Sequence, residues 1–483
     1  MIKLCQTVNG VIKDMSEIGI KRTFSRTMAC VLLFTTVLSL SGCGKTGTDG
    51  SGTQTPGTPA SSVKTDIVAK RTISVEEVNG TVKASDGNVT VDLVAGENLQ
   101  SERSVSTETE SDLTLLLDSD KHVYAGAETT FSLVAEGGEK STKTRFKLER
   151  GILKSVIDNP LGSDESYEVE TPNGTMAVRG TTFTVRVAEE EGAFVTIVDV
   201  EEGKVSIETA DGKSEEVNPG ETKEITDAGV KDTDLSGMFR LHSVSMKDYW
   251  GSSYEEYGYD EAGLRGASYF IDGDLKSFYV YAYGENGKPF EKVVHAVGGA
   301  MMYKEEYEYD AAGNMIKLTK VMEDGTIEEE DFFTYDSNGN LIEKSYPEYA
   351  PGGWTGKTLY SYDDSGKILS EDKYESGELV SRNLYTYDDK GRLSEYKVQI
   401  IDRAEENFYE VIKTDYKYDA WGREVEYTLY QGYDNISATH PEAEVITCRT
   451  SYDIYGNKTK FTALYTETGE IINTDEYTYE EVK

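Results

Sequence analysis

Residues 383–392 read Asn383-Leu384-Tyr385-Thr386-Tyr387-Asp388-Asp389-Lys390-Gly391-Arg392. Side chains alternate along a strand, so Leu384 and Thr386 fall on one face and Tyr385 and Tyr387 on the other. Asp388 can accept hydrogen bonds from backbone donors ahead of it, and Gly391 can take the chain reversal. The stretch is a strand that ends in a turn. Its phrase, Tyr-Asp-x-x-Gly, recurs at Tyr259-Asp260 with Gly263, Tyr309-Asp310 with Gly313, and Tyr335-Asp336 with Gly339. It returns at Tyr362-Asp363 with Gly366, Tyr387-Asp388 with Gly391, Tyr418-Asp419 with Gly422, and Tyr452-Asp453 with Gly456. A degenerate copy, Tyr283-Gly284-Glu285-Asn286-Gly287, fills the long gap, and the eight are then spaced 24, 26, 26, 27, 25, 31 and 34 residues apart. Such a period marks a repeat architecture. A second turn sits inside the unit, as in Glu323-Asp324-Gly325, Glu375-Ser376-Gly377 and Glu467-Thr468-Gly469. Each unit is therefore a pair of strands of about 8–10 residues, and since one hairpin is marginal in water the units must pack on one another.

Working outward, 31 of the 33 tyrosines follow residue 245, which sets a domain boundary. The array is read as 245–483, with a linker over 229–244. Upstream, residues 66–228 also show period two, without the phrase. Leu113, Leu115 and Leu117 alternate, as do Phe183, Val185 and Val187, and turns fall at Glu202-Gly203-Lys204, Asp211-Gly212 and Pro219-Gly220. No long segment has a helical period. The expected class is all-β: a β-sandwich or β-roll followed by an antiparallel hairpin array.

Residues 167–185, YEVETPNGTMAVRGTTFTV, make the upstream domain specific. Thr171-Pro172, then Val178-Arg179-Gly180-Thr181 and Phe183, resemble the signature of the FecR domain. The resemblance runs from Ile67 to Thr226. The motif also has a purely structural reading. Gly180 tolerates a backbone angle closed to other residues, Pro172 withholds a donor at a strand start, and Arg179 packs its stem under a charged tip. A partner contact at Arg179 is the alternative. FecR itself is a signalling relay with a membrane span, so the resemblance implies an extracytoplasmic β domain able to dock onto another surface protein. The array is similar to the YD-repeat, RHS-type family of bacterial surface and toxin-associated proteins. That resemblance implies a continuous spiralling sheet, which large members wrap into a shell around a toxic domain. Confined to 245–483, with little beyond Tyr479, this array is expected to be too short for a large shell, and a toxin is disfavoured.

Residues 1–42 read as an export signal. Lys21, Arg22 and Arg26 precede the apolar run Met28–Leu40, which is too short to span a bilayer. Leu40-Ser41-Gly42-Cys43 resembles the bacterial lipobox, which implies diacylglycerol on the Cys43 sulfur. Translation starts at Met1 or Met15. Residues 43–65 are rich in Gly, Ser, Thr and Pro and read as a flexible tether reaching roughly 25–30 Å. Cleavage removes Cys5 and Cys30, leaving Cys43 and Cys448 with no intramolecular disulfide expected. No second long apolar run follows, so nothing after Cys43 is expected to span the membrane. The expected location is outside the cytoplasm, anchored by that lipid.

With 49 Lys and Arg against 88 Asp and Glu, the net charge is −39, which argues against nucleic acid and against basic-patch membrane binding. Four isolated histidines, His122, His242, His295 and His440, show no metal spacing. The turn aspartates lack an EF-hand pattern, so capping is preferred to calcium. Gly44-Lys45-Thr46 lacks the earlier glycine of a phosphate loop. No nucleophile elbow appears. No catalytic residue, metal or cofactor is therefore expected. The tyrosines either pack the array itself or stack on sugars. The function expected is non-enzymatic binding of a cell-surface protein or glycan, with extracytoplasmic signalling as the alternative.

Overall fold

The computed structural model describes residues 71–482 apart from 139–140, 191, 249–250, 262, 348–354, 403–406 and 433–443. The expected signal, Leu40, Ser41, Gly42, Cys43, the tether and His440 lie outside the described residues. The fold is all-β. Its strands are numbered in chain order from β1 (Ile73–Asn79) to β34 (Ile471–Glu481).

Strands β1 to β16 (Gly229–Asp232) form the upstream domain. Its pivot is β8 (Ser141–Ile157), 17 residues long. The first half of β8 pairs antiparallel with β7 (Thr130–Gly138) and parallel with β9 (Ser166–Thr171). Its second half pairs with β6 (Lys121–Ala125) and β11 (Thr182–Glu190) in the other sheet. The switch falls at Gly151, where φ is +93° and a Cβ would meet Thr129 Cα at 2.5 Å. Only glycine can turn the strand there. The two sheets close over one apolar core. Phe131, Phe146, Tyr167 and Phe183 meet in it at centroid distances of 5.7–6.3 Å, with Leu113, Leu115 and Leu117 beside them. Burial of each such side chain contributes about 1.5–3 kcal/mol.

Strands β17 (Phe239–Asp248) to β34 form a closed antiparallel barrel. The repeat period predicts the hairpins; the ring is what the structure adds. The sheet does not end in two free edges, because β17 pairs with β34 from Phe239↔Glu481 to Asp248↔Asn473. The residues read as a linker differ from expectation. Gly229–Asp232 is a strand paired with β15 (Thr222–Thr226), and the barrel already begins at Phe239. β17 carries no repeat phrase, and its partner is the last strand of the array, so local reading could not find it. Among the described residues no helix is long and apolar enough to cross a membrane.

The tyrosine-bearing face of the barrel is its inner face. Val244, Tyr257, Ala267, Val294, Ile412, Cys448 and Ala463, the barrel's buried apolar residues, all lie on it by register. Side chains converge on a concave surface, which is why the more occluded face is the inner one.

Candidate functional site

In the upstream domain the motif residues build a turn and its supports. Thr171 ends β9, and its hydroxyl donates to the Gly174 carbonyl at 3.1 Å. Thr196 on β12 (Ala193–Glu202) donates towards Thr171 Oγ1 at 3.0 Å and Asn173 Oδ1 at 2.9 Å, tying the turn to the opposite sheet. Pro172 is exposed between them. Val178 ends β10 (Gly174–Val178) and is buried; Arg179 is exposed. Gly180 has φ +99°, and a Cβ there would meet Pro160 Cα at 2.8 Å. Thr181 Oγ1 donates to the Lys204 carbonyl, and Phe183 is fully buried. Thr196, which anchors the turn, has no signature in the sequence.

In the barrel, the phrase closes each hairpin at one rim. Asp388 N donates to the Arg392 carbonyl and Gly391 N to the Asp388 carbonyl, with Gly391 at φ +76°. Asp388 Oδ1 accepts from the amides of Lys390 and Arg392, while Arg392 Nε donates to Oδ2 at 2.7 Å. Both carboxylate oxygens are thus engaged by the turn's own donors. Asp310, Asp336 and Asp453 do the same through Asn314, Asn340 and Asn457. The amide of residue 392 holds the Asp388 carboxyl below its usual range, and backbone amides act alike on Asp310 and Asp363.

The tyrosine of each phrase reaches sideways. A bulge follows each turn, and the residue paired opposite one tyrosine just past it offers its carbonyl to the next tyrosine. Tyr362 pairs with Ile368, and Tyr387 Oη donates to the Ile368 carbonyl at 2.8 Å. Tyr309, Tyr335, Tyr362, Tyr418 and Tyr452 repeat this on Pro289, Met315, Leu341, Leu393 and Glu424 at 2.7–2.8 Å. Tyr283 does so on Leu264. The series closes on itself. Tyr479 bonds the Lys458 backbone, Tyr479 pairs with Leu241, and Tyr259 Oη donates to the Leu241 carbonyl at 2.7 Å. Basic residues stack over several of these rings: Arg392 over Tyr418 and Arg423 over Tyr452, each at 4.6 Å, and Lys367 over Tyr387 at 5.3 Å. Each stack contributes about 0.5–2 kcal/mol.

A second row of inner tyrosines is paired with itself and with acids. Tyr257 donates to Glu255, Tyr307 to Glu305 and Tyr385 to Glu371. Tyr385 meets Tyr396 at 5.1 Å, and Tyr416 meets Tyr427 at 5.7 Å. Burial raises the phenol of Tyr281 to about 12. Glu424 takes the position that most other repeats give to Leu, Met or Ile, with Pro289 and Lys458 the other departures, and burial pushes its carboxyl up. Beside it, burial pushes the Cys448 thiol up to about 11, opposed by a hydrogen bond with Tyr427.

The upstream domain and the barrel meet at the turns of the last two complete phrases. Trp421 Nε1 donates to Thr184 Oγ1 at 3.3 Å, and its ring covers Gly126. Tyr455 Oη donates to Glu190 and its ring packs on Phe239 at 4.8 Å. Arg186 Nε donates to the Ile454 carbonyl at 2.8 Å, and Lys460 pairs with Glu110 at 2.7 Å. Arg186 is 8% exposed, and its Nη1 has no partner among the described residues. Burial lowers its pKa against the pull of Asp199. The signal for this seam was present in the variable positions of the phrase. Residues 420–421 and 454–455 are Ala-Trp and Ile-Tyr, where the other complete copies carry Glu-Ala, Ala-Ala, Ser-Asn, Asp-Ser or Asp-Lys.

The described histidines are separate. His122 lies 3.4 Å from Glu76, His242 3.9 Å from Glu256 and Glu480, and His295 stacks on Phe278 at 4.9 Å. Among the described residues no group of three or more His, Cys, Asp or Glu is placed to hold a metal.

Residues 103–206 match the model of the FecR protein family, and that match points to a signalling-related role. No curated protein matches the chain. Among solved structures, a putative anti-sigma factor from Parabacteroides distasonis is 15% identical, with TM-score 0.24, over 29% of this chain and 66% of that one. A porin-like protein from Bacteroides uniformis is 12% identical, with TM-score 0.29, over 50% of this chain and 98% of its own. The Photorhabdus luminescens Tc holotoxin pore is 12% identical, with TM-score 0.24, over 77% of this chain and 21% of its own.

Proposed function

We infer that this chain is a non-enzymatic, lipid-anchored cell-surface protein. It holds a FecR-like domain and a YD-repeat barrel away from the membrane for binding a surface protein or glycan. The observation that carries this reading is the seam. Trp421, Tyr455 and Arg186 join the two modules, so that they present fixed surfaces to a partner. The outer barrel face supports a water-borne body. It carries ion pairs such as Lys317–Glu330 at 2.7 Å and Arg382–Asp372 at 2.5 Å, where a lipid-facing barrel needs an apolar band. The acidic balance suits a surface held off an anionic bilayer by a tether.

Two experiments test it. Metabolic labelling with a radiolabelled fatty acid should mark the chain and fail on Cys43→Ala. Capture from envelope extracts, and glycan arrays, should then yield a partner for the anchored chain. Labelling that persists in the variant, or capture of nothing, overturns the reading.

A signalling component acting through a membrane-spanning partner is the second reading, favoured by the match over residues 103–206. Under it, deletion changes the level of regulated transcripts; unchanged transcripts reject it.

A further inference from the structure

The barrel is ringed by its strands but not filled by their side chains. In the upstream domain the inward residues Leu113, Leu115 and Leu117 are 1%, 1% and 0% exposed. In the barrel the inward residues Tyr279, Tyr281, Tyr303, Tyr307 and Leu318 stay only half-buried. An inward side chain keeps that much surface in water only where no opposite wall packs against it. Eighteen strands close a barrel wide enough to keep an aqueous lumen once its side chains are in place.

One stretch of the lumen wall combines aromatic rings with a carboxylate. It spans β20 (Asp274–Tyr283), β21 (Pro289–Ala296) and β22 (Met301–Tyr309). Val294 is buried on the inner face and pairs with Tyr279 on one side and Tyr303 on the other. Two residues along, Tyr281, Lys292 and Glu305 are therefore also inward and side by side. The rings of Tyr279, Tyr281 and Tyr283 follow one another along β20 at centroid distances of 5.6 and 6.1 Å. Next to them Tyr307 Oη donates to Glu305 Oε2 at 2.6 Å, and Lys292 Nζ lies 3.4 Å from both oxygens of that carboxylate. A carboxylate has about four lone-pair sites, so Glu305 keeps acceptor capacity for a guest.

The chemistry of the wall selects the guest. Lys292, Lys320 and Lys344 each reach a carboxylate, those of Glu305, Glu328 and Asp331. Glu255 and Glu371 are held by neutral donors, the phenols of Tyr257 and Tyr385. Negative charge is therefore in surplus there, which disfavours an anionic guest. A wholly apolar guest would strip water from those carboxylates without replacing it. A neutral guest with apolar faces and many hydroxyl donors satisfies both the rings and the acids.

We propose that the barrel lumen binds a neutral oligosaccharide chain. The chain lays its carbon faces on Tyr281 and the neighbouring rings and donates hydroxyls to Glu305. This rests on the glycan-binding half of the function proposed above and gives that half its site and its ligand class.

The test is calorimetric titration of the full exported chain with neutral hexasaccharides of glucose, mannose, galactose and N-acetylglucosamine, and with hexagalacturonate. At least one neutral sugar should bind, and hexagalacturonate should bind at least about tenfold more weakly. Tyr281→Ala should weaken the neutral sugar at least about tenfold, while Tyr281→Phe keeps the platform and should stay within about twofold. Glu305→Gln removes the charged acceptor and should weaken binding by a factor similar to that of Tyr281→Ala; it carries the test if Tyr281→Ala fails to fold. Tyr254→Ala, on the outer face of the barrel, should change nothing. Binding of none of the four neutral sugars, full binding by Glu305→Gln or by folded Tyr281→Ala, equal loss in Tyr254→Ala, or equal binding of hexagalacturonate overturns the proposal. So does a hexalysine peptide that binds more tightly than every sugar. If the natural partner is still captured in full by the Tyr281→Ala and Glu305→Gln chains, the lumen is not its site, while the broader function stands.

Discussion

The Tyr259 hydroxyl, on the strand Gly251–Asp260, donates to the Leu241 carbonyl of β17 at 2.7 Å, and Leu241 pairs on its other side with Tyr479 of β34, where the barrel's two ends meet. The same bond that links neighbouring repeats elsewhere here braces β17, the strand that closes the ring against β34. Tyr259→Phe therefore leaves the Leu241 carbonyl without its donor on the strand beside the closure. A cost of about 0.5–1.5 kcal/mol is expected, read as a lower urea midpoint. Tyr387→Phe should cost a similar amount in mid-array. The pair lie far apart, so their effects should add. A much larger than additive loss would show the ring opening as one unit.

Alkali should dismantle the barrel. Tyr452 and Tyr281 are raised to about 12 by burial, above an unfolded value of about 10. A raised phenol contributes stability that is intact below pH ~10 and lost as pH climbs through the folded value. Tyrosinate absorbance and the β-sheet circular dichroism should change together over about pH 10–12. Tyrosinate appearing near pH 10 with the sheet intact would reject buried phenols.

Acid acts on the turns with the opposite sign. Asp310, Asp336, Asp363 and Asp388 are held low by amides and side chains of their own turns. Depressed carboxyls contribute stability above the unfolded value, and it is lost as pH falls below about 4. A chain with all four changed to Asn should show a shallower loss of stability below that pH. An unchanged acid profile would mean that the carboxylates do not hold the turns.

The seam should be separable from the ring. Trp421→Ala removes the ring over Gly126 and the bond to Thr184. A loss of about 2 kcal/mol is expected, with faster protease cleavage between Thr233 and Met238. Tyr455→Phe, which loses only the Glu190 contact, should act in the same direction and less. No change in cleavage for either variant would count against a coupled pair of modules.

Cys448 is 4% exposed, and its thiol is raised to about 11 by burial. It should resist thiol reagents in the native chain at neutral pH and react fully in denaturant. Reaction within seconds in the native chain would place it at the surface.

Much of the local structure was legible. The Asp-x-x-Gly phrase encodes its turn because a carboxylate just ahead of backbone donors closes the same hydrogen bonds wherever it occurs. Asp388 and Asp336 show this identically. Alternation placed Tyr385 and Tyr387 on one face. The roles of β17 and of Trp421 were harder to read. β17 has no phrase of its own, and the meaning of Trp421 depends on Gly126 and Thr184, which belong to the other module.

By itself, then, the order of residues determined strands, turns and a hairpin period, because these depend on interactions over a few neighbours. The three-dimensional structure alone decided that the period closes, that β17 and β34 pair, and that each phenol finds a carbonyl from the preceding unit. Closure depends on twist and tilt summed over all the barrel's strands. No short segment carries that sum, and it becomes definite only when the two ends of the array come within hydrogen-bonding reach.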